Sequence, residues 1–210
     1  MNKLLKNYDV LFWDFDGVIK DSVEAKAFAY QNLFKGMAQD LLNKIQYHHQ
    51  DNGGVSRYEK IPLYLYWAGF EVTQDLIDSY CQDFSKIVMQ LVINSPWVPG
   101  VKEYIIDNHK NNKFFLITAT PTEEIKIILE ELSILDCFAE VHGAPIKKYE
   151  VVEAIMHRFE FDTERTAFVG DSVSDHEAAF KNDLTFVLRS TALNYDLQKK
   201  HKGLSFKSLI

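Results

Sequence analysis

The sequence Asp14-Phe15-Asp16-Gly17-Val18 follows directly on the apolar run Val10-Leu11-Phe12-Trp13. In an extended segment residues two apart point the same way, so Asp14 and Asp16 are expected to project together. Two carboxylates in one place repel each other unless a cation or a shared proton compensates. Gly17 permits a tight turn just beyond them. Three further groups occupy comparable places. Thr118, with Ala119 and Thr120, ends the run Phe114-Phe115-Leu116-Ile117 and offers a hydroxyl and backbone amides suited to a phosphoryl oxygen. Gly143-Ala144-Pro145-Ile146-Lys147-Lys148 sets a lysine just before a helix, where it can neutralise carboxylates and phosphate. Gly170-Asp171-Ser172-Val173-Ser174-Asp175 follows Ala167-Phe168-Val169. Its hard oxygen ligands suit Mg²⁺, which takes few carboxylates and keeps substrate oxygens and water. Taken singly, each group also has an ordinary reading: an acidic loop capping a helix, a strand end with Thr120 as the next helix cap, a solvated lysine pair, an Asp/Ser-rich helix start. All four together at the ends of apolar runs favour chemistry.

The elements that must hold these groups follow from the same pattern. The four short apolar runs, including Thr185-Phe186-Val187-Leu188, read as strands buried on both faces. Thr120-Pro121-Thr122-Glu123 reads as a helix start with a capping Thr and Pro at the first position. Ile125, Ile128, Leu129 and Leu132 then fall on one helical face, as do Val151, Val152, Ile155 and Phe159 later. Strand followed by helix, repeated, predicts a doubly wound parallel α/β sheet with its ligand site at the strands' carboxyl ends. Between about 22 and 93 only helical periodicity appears, broken by a turn at Asn52-Gly53-Gly54. That stretch reads as a helical insertion, with Pro96 and Pro99-Gly100 marking the return to the sheet.

The 210 residues suffice for one such core with a small accessory domain, and 47% apolar with 25% charged residues is ordinary for a globular chain. A net charge of -7 with no basic face argues against nucleic acid as a partner. No stretch has the ~20 apolar residues of a membrane span, and the N-terminal run is too short and interrupted for a signal peptide. Cys81 and Cys137 show no metal-ligand spacing and read as reduced thiols, so a cytoplasmic protein is expected. The adjacent His48 and His49 do not face one ligand on a helix. Tyr64, Tyr66 and Trp67 read as core of the insertion rather than a base-stacking set. The 191–210 tail, with Lys199, Lys200 and Lys202, reads as a solvated end. Oligomeric state has no signal.

In combination the motifs resemble the haloacid dehalogenase-like superfamily, in its phosphatase branch, over nearly the whole chain. Asp14 through Val18 with Asp21-Ser22 matches the first motif, Thr118 the second and Gly170-Asp171 through Asp175 the fourth. Gly143-x-Pro145-x-x-Lys148, followed by Glu150-Val151, aligns Lys148 with the third, with Lys147 one residue away as the alternative. The resemblance implies a Rossmann-like core over 1–21 and 94–210 and an inserted α-helical cap domain over 22–93. It implies that Asp14 attacks phosphorus to give an aspartyl-phosphate, and that Asp16 is the acid and then the base. It implies Mg²⁺ held by Asp14, the Asp16 backbone carbonyl and Asp171, with Asp175 orienting the metal's shell or adding a ligand. Thr118, Lys148 and the backbone near Phe15, Gly17 and Ala119 would hold the transferring oxygens of a small phosphorylated metabolite. Asn52-Gly53-Gly54-Val55-Ser56-Arg57 is similar to a cap loop that reaches the site, so Arg57 and Lys60 would meet an anionic substrate group or else lie as surface charges. A phosphomutase resembling beta-phosphoglucomutase and a catalytically idle binding module on the same fold are the alternatives.

Overall fold

Strands covered on both faces need near-continuous apolar runs, and the runs above form them. The computed structural model describes residues 4–210. Strand β1 (Val10–Trp13) is followed by four helices: α1 (Val23–Leu33), α2 (Gln39–Asp51), α3 (Arg57–Trp67) and α4 (Gln74–Asn94). The chain then alternates through α5 (Val101–Asn108), β2 (Lys113–Pro121), α6 (Thr122–Glu131), β3 (Glu140–Ala144), α7 (Lys148–Phe159) and β4 (Thr166–Gly170). It closes with α8 (Val173–Lys181), β5 (Thr185–Arg189), α9 (Tyr195–Lys200) and β6 (Ser205–Phe206). The strands pair in parallel in the order β3-β2-β1-β4-β5-β6. That is the order of the Rossmann-like doubly wound sheet.

Alternation along the strands sends Leu11, Trp13, Phe114, Leu116, Ala167 and Val169 to one face, where α5 and α6 pack. Val10, Phe12, Phe115, Ile117 and Phe168 cover the other, under α7 and α8. Helices α1 to α4 continue the first cluster with Tyr30, Phe34, Ile45, Ile61, Tyr64 and Phe84. Tyr30 stacks on Phe84 with ring centroids 4.0 Å apart. Ser56 and Thr73 cap α3 and α4, accepting from the amides of Tyr58 and Leu76. The two connections between these helices and the sheet run side by side. The amide of Asp21 donates to the Pro96 carbonyl at 2.8 Å, that of Val98 to the Ile19 carbonyl at 3.0 Å, and the Lys20 ammonium to the Ile93 carbonyl at 2.9 Å.

Several details depart from the sequence reading. β2 runs on through Thr118 to Pro121, and α6 starts at Thr122 without a side-chain cap, so Thr120 is a strand residue and not a helix cap. β3 and β6 carry no clear apolar run of their own; they form because the sheet's edges offer partners. The tail is therefore not merely solvated: Phe206 and Leu209 are buried, while Lys199, Lys200 and Lys202 are exposed. Tyr64 is buried and Trp67 packs beside it, but Tyr66 is 71% exposed. Among the described residues no helix is long and apolar enough to cross a membrane.

Candidate active site

The register pairs Trp13 with Leu116 on β2 and with Val169 on β4. One residue further, Asp14 stands level with Ile117 and Gly170, and Thr118 and Asp171 follow at the same edge. This edge is the carboxyl end of the sheet, beside β1 and β4 where the strand order reverses, the place at which such sheets bind ligands.

Asp14 is buried, and the Lys148 ammonium lies 2.8 Å from its Oδ1. The same ammonium donates to Asp175 Oδ1 at 2.6 Å. Lys148 opens α7 and Asp175 lies in the first turn of α8, so two helix starts converge beneath β1. Asp175 Oδ2 accepts from the Ser172 hydroxyl at 2.7 Å and from the amides of Ser172 at 3.0 Å and Asp171 at 3.1 Å. Both of its oxygens are thus taken, one by the α8 capping box and one by Lys148. Burial, then Asp175, pushes the Asp14 carboxyl up to about 7 against the pull of Lys148. Burial works against the charge of Lys148 too, but Asp14 and Asp175 outweigh it and keep the ammonium well up. Burial, then Asp14 and Asp175, drives Asp171 well above the usual carboxylate range.

Ligand oxygens of Asp14, Asp171 and Asp175 lie within 4.8 Å of one another. Asp14 Oδ1 makes no well-directed hydrogen bond despite the nearby ammonium. Among the described residues the Asp171 carboxylate accepts none either. It lies against the bare α-carbon of Gly17, whose φ of +76° a side chain would rarely adopt and whose added Cβ would come 2.1 Å from Asp171 Oδ2. Two under-satisfied carboxylates that repel each other fit a hard divalent cation.

Asp14 and Asp16 lie near enough for Asp16 to help raise the Asp14 carboxyl, but they take different partners. β1 ends at Trp13, and the carbonyl of Phe15 accepts from the amides of Val18, Ile19 and Lys20, which turns the chain at once. Asp16 instead faces α1 and β2. Its Oδ1 accepts from the Ser22 hydroxyl at 2.6 Å; its Oδ2 accepts from Lys26 at 2.5 Å and from the Thr120 hydroxyl at 3.2 Å. Lys26 also reaches the Thr120 hydroxyl at 2.7 Å. Burial raises Asp16, but Lys26, Ser22 and Thr120 overcome it and hold the carboxyl below its ordinary value.

The remaining expected residues divide. Thr118 is buried at the same edge, its hydroxyl accepting from the Thr120 amide. Phe15 buries its ring in the core. Gly17 donates its amide to the Lys20 carbonyl at 2.7 Å and so presents no free donor to a ligand. Lys147 is exposed and pairs with Glu59 of α3; Lys148 is the lysine at Asp14. Arg57 does not offer its charge to a ligand, because Glu124 of α6 takes its guanidinium in two hydrogen bonds and Ser85 in a third. Lys60 is buried against His49. Lys26 and His49 escaped the sequence reading. Their signal is a basic residue on a helix's buried stripe, Lys26 between Val23 and Tyr30 and His49 one turn after Ile45.

A family model described as haloacid dehalogenase-like hydrolase matches residues 10–188. Among solved structures, a predicted phosphoglycolate phosphatase from Haemophilus somnus is 20% identical over 97% of this chain and 95% of that one, with a TM-score of 0.77. Beta-phosphoglucomutase from Clostridium difficile is 19% identical over 96% and 92%, with a TM-score of 0.75. CbbY from Rhodobacter sphaeroides, solved with phosphate, is 13% identical over 96% and 95%, with a TM-score of 0.77. At such identities the likeness is one of fold. No curated protein matches the sequence. The match to the family model spans most of the chain and includes every strand-end group described above, and on that ground the chain belongs to the haloacid dehalogenase-like hydrolases.

Proposed function

We propose that the protein is a magnesium-dependent phosphomonoester hydrolase that acts in the cytoplasm on a small phosphorylated metabolite, through an aspartyl-phosphate on Asp14. The observation that carries this reading is the buried Asp14 at the end of β1, flanked by the cation Lys148 and the under-satisfied Asp171, with the second acid Asp16 two residues on. Asp14 Oδ attacks phosphorus, forming an O–P bond as the bond to the leaving oxygen breaks. Asp16 gives that oxygen a proton. In the second half Asp16 takes a proton from water as its oxygen attacks phosphorus, which frees Asp14 and inorganic phosphate. Lys26 holds Asp16 ionised before substrate arrives. The phosphoryl group's own negative charge opposes Lys26 and raises Asp16 toward a state that can carry a proton.

Asp14, Asp171 and the Asp16 carbonyl would hold Mg²⁺, with Asp175 acting through Lys148 and the start of α8. The ion supplies charge neutralisation, without which two carboxylates and a phosphate dianion repel. Thr118, Lys148 and the amide of Ala119 bind the transferring oxygens. Residues 22–93 serve as a cap over the core of 1–21 and 94–210; their contacts with the core in this form include Arg57 with Glu124, and the Ser174 hydroxyl with the Gly54 carbonyl at 3.2 Å. Closure shields the first transfer from bulk water, and reopening admits the water of the second.

The test is phosphate release from a panel of small phosphomonoesters, with and without Mg²⁺, for wild type and Asp14→Asn. Metal-dependent release that the substitution abolishes supports the reading. An isomerised sugar phosphate without release of phosphate would replace the hydrolase by a mutase, and inertness across a broad panel would overturn both.

A further inference from the structure

Gly170 and Leu188 form the last pair between β4 and β5. Past that pair the amides of Asp171 and Ser172 turn to Asp175 Oδ2, at 3.1 Å and 3.0 Å. The carbonyls of Asp171 and of Arg189, at the end of β5, must then find partners outside the ladder, because backbone acceptors shielded from water are nearly always paired. Asn194, just before α9, supplies both. Its side-chain amide donates to the Asp171 carbonyl and to the Arg189 carbonyl, each at 2.8 Å. It forms one more rung across two strands that have already parted.

A helix cap alone would explain only half of this side chain. Asn194 Oδ1 accepts from the Thr191 amide at 2.9 Å, closing the capping box of the short turn Ala192–Asn194. The Gln198 side-chain amide donates to the same oxygen at 2.8 Å and to the Thr191 carbonyl at 2.6 Å. Two donors on the oxygen settle the orientation of the Asn194 amide, so its NH₂ faces the two carbonyls. An ordinary cap would leave that NH₂ to water. The base it stands on is fixed as well. The Ser190 amide donates to the Phe206 carbonyl at 2.7 Å, and the Arg189 guanidinium meets Asp21 at 3.3 Å.

Asp171 is thus clamped by its main chain, at the amide through Asp175 and at the carbonyl through Asn194. Its carboxylate accepts no hydrogen bond among the described residues and stays free for a cation. Asp14 has Lys148 beside its carboxylate, and Asp175 has Ser172 and Lys148. We propose that Asn194 is a positioning residue for the metal centre: it fixes the Asp171 peptide, and so the direction of the ligand carboxylate that no side chain orients. The proposal rests on the reading of that centre as a Mg²⁺ site. Mg²⁺ demands near-ideal octahedral geometry, so a carboxylate free to swing costs affinity.

The experiment titrates chelator-treated protein with Mg²⁺ alone, by calorimetry, and follows Tm in parallel. Asn194→Ala removes both cap and clamp. Asn194→Asp keeps the cap oxygen and loses the NH₂; its added negative charge would by itself draw a cation, so weaker binding reports the lost clamp. Both substitutions are expected to raise the Mg²⁺ Kd about 10- to 100-fold, the usual loss when a partner behind a metal ligand is removed. In turnover the change should appear as a higher Mg²⁺ requirement, with most of kcat recovered at saturating metal. Lys199→Ala, in the same segment but exposed and paired with Asp196, should leave Kd unchanged. If neither variant at 194 folds, Gln198→Leu loosens Asn194 from behind and is expected to weaken Mg²⁺ less, in the same direction. A lower Tm with the wild-type Kd in both variants would reduce Asn194 to a helix cap and leave the metal reading standing. Wild type that takes up no Mg²⁺ would overturn the metal reading, and the role given to Asn194 with it.

Discussion

Arg57 and Glu124 form an ion pair between α3 and α6 whose side chains are only 3% and 7% exposed. The guanidinium gives Glu124 two hydrogen bonds, gives Ser85 a third at 2.5 Å, and lies 4.6 Å from the centroid of the Phe84 ring. At such burial water screens little, so removing one partner strands the other's charge. Glu124→Gln keeps the shape and removes the negative charge. It is expected to cost about 3–5 kcal/mol, as for other broken buried pairs. For a chain of this size that is a fall in Tm of about 6–20 °C, at about 2–4 °C per kcal/mol. The assay is thermal unfolding followed by circular dichroism, with a urea series to show that m is unchanged. Removing both charges together, as Arg57→Met with Glu124→Leu, is expected to return stability to within about 1 kcal/mol of wild type, because no buried charge is then stranded. The sum of the two single effects should exceed the double effect by most of the coupling energy. A Tm loss below about 3 °C for Glu124→Gln, or a double variant no more stable than the single one, would refute the reasoning.

Lys148→Met removes the cation shared by Asp14 and Asp175, and turnover should fall about 10²–10³-fold, measured as kcat on a saturating phosphomonoester. Gly54→Ala would set a Cβ 2.1 Å from the Ser174 hydroxyl oxygen and 2.3 Å from that of Ser172, wedging the cap loop off α8. kcat/KM should drop about 100-fold while the far-ultraviolet spectrum is unchanged; an unaltered kcat/KM would show that closure there is dispensable. Adding Mg²⁺ to chelator-treated protein should raise Tm, by about 2.7 kcal/mol of stability at 100 times Kd, and Asp171→Asn should lose that gain. Lys60 titrates near 7 when folded and at 10.5 when unfolded, with Lys26, His49, Asp16 and Glu59 facing it. Between those values the unfolded chain holds a proton that the folded one lacks, so this group's stability rises with pH and is lost as pH falls through 7. Wild type should therefore gain on Lys60→Met as pH goes from about 6 to about 9, read as a difference in Tm; a flat difference would contradict a buried, unpaired ammonium.

The core was legible because parallel strands leave a strong trace. Val10–Trp13, Phe114–Ile117, Ala167–Val169 and Phe186–Leu188 are apolar on both faces, and in a parallel sheet the carboxyl ends of such runs lie together at the ligand edge. β3 and β6 left little trace because edge strands borrow their stability from a neighbour's hydrogen bonds. Thr120 was misread because a threonine before a proline is equally good as a cap or as a residue near a strand's end, and only the distant Asp16 and Lys26 decide between them. The separate partners of Asp14 and Asp16 were hidden for a related reason: the two-residue period holds only while the strand lasts, and it stops at Trp13. Lys26, His49 and Lys60 show in sequence only as basic residues on apolar stripes. Whether such a residue is buried, and whom it meets, depends on how three helices pack, which no local pattern contains.

The two crossings between α1–α4 and the sheet are fastened to each other, Asp21 to Pro96 and Val98 to Ile19. Two separate tethers would let the helical unit slide, twist or swing. Two tethers joined along their length act as an axle: they favour rotation about the line of residues 19–21 and 96–98, a movement that must part the bonds made elsewhere, Arg57 to Glu124 and Ser174 to Gly54. That axle belongs to the same short stretch of chain as Asp16, whose carboxylate is itself held by Ser22 and by Lys26 on the moving side. A turn of the leaf would carry with it Lys26, and so the cation's hold on the acid.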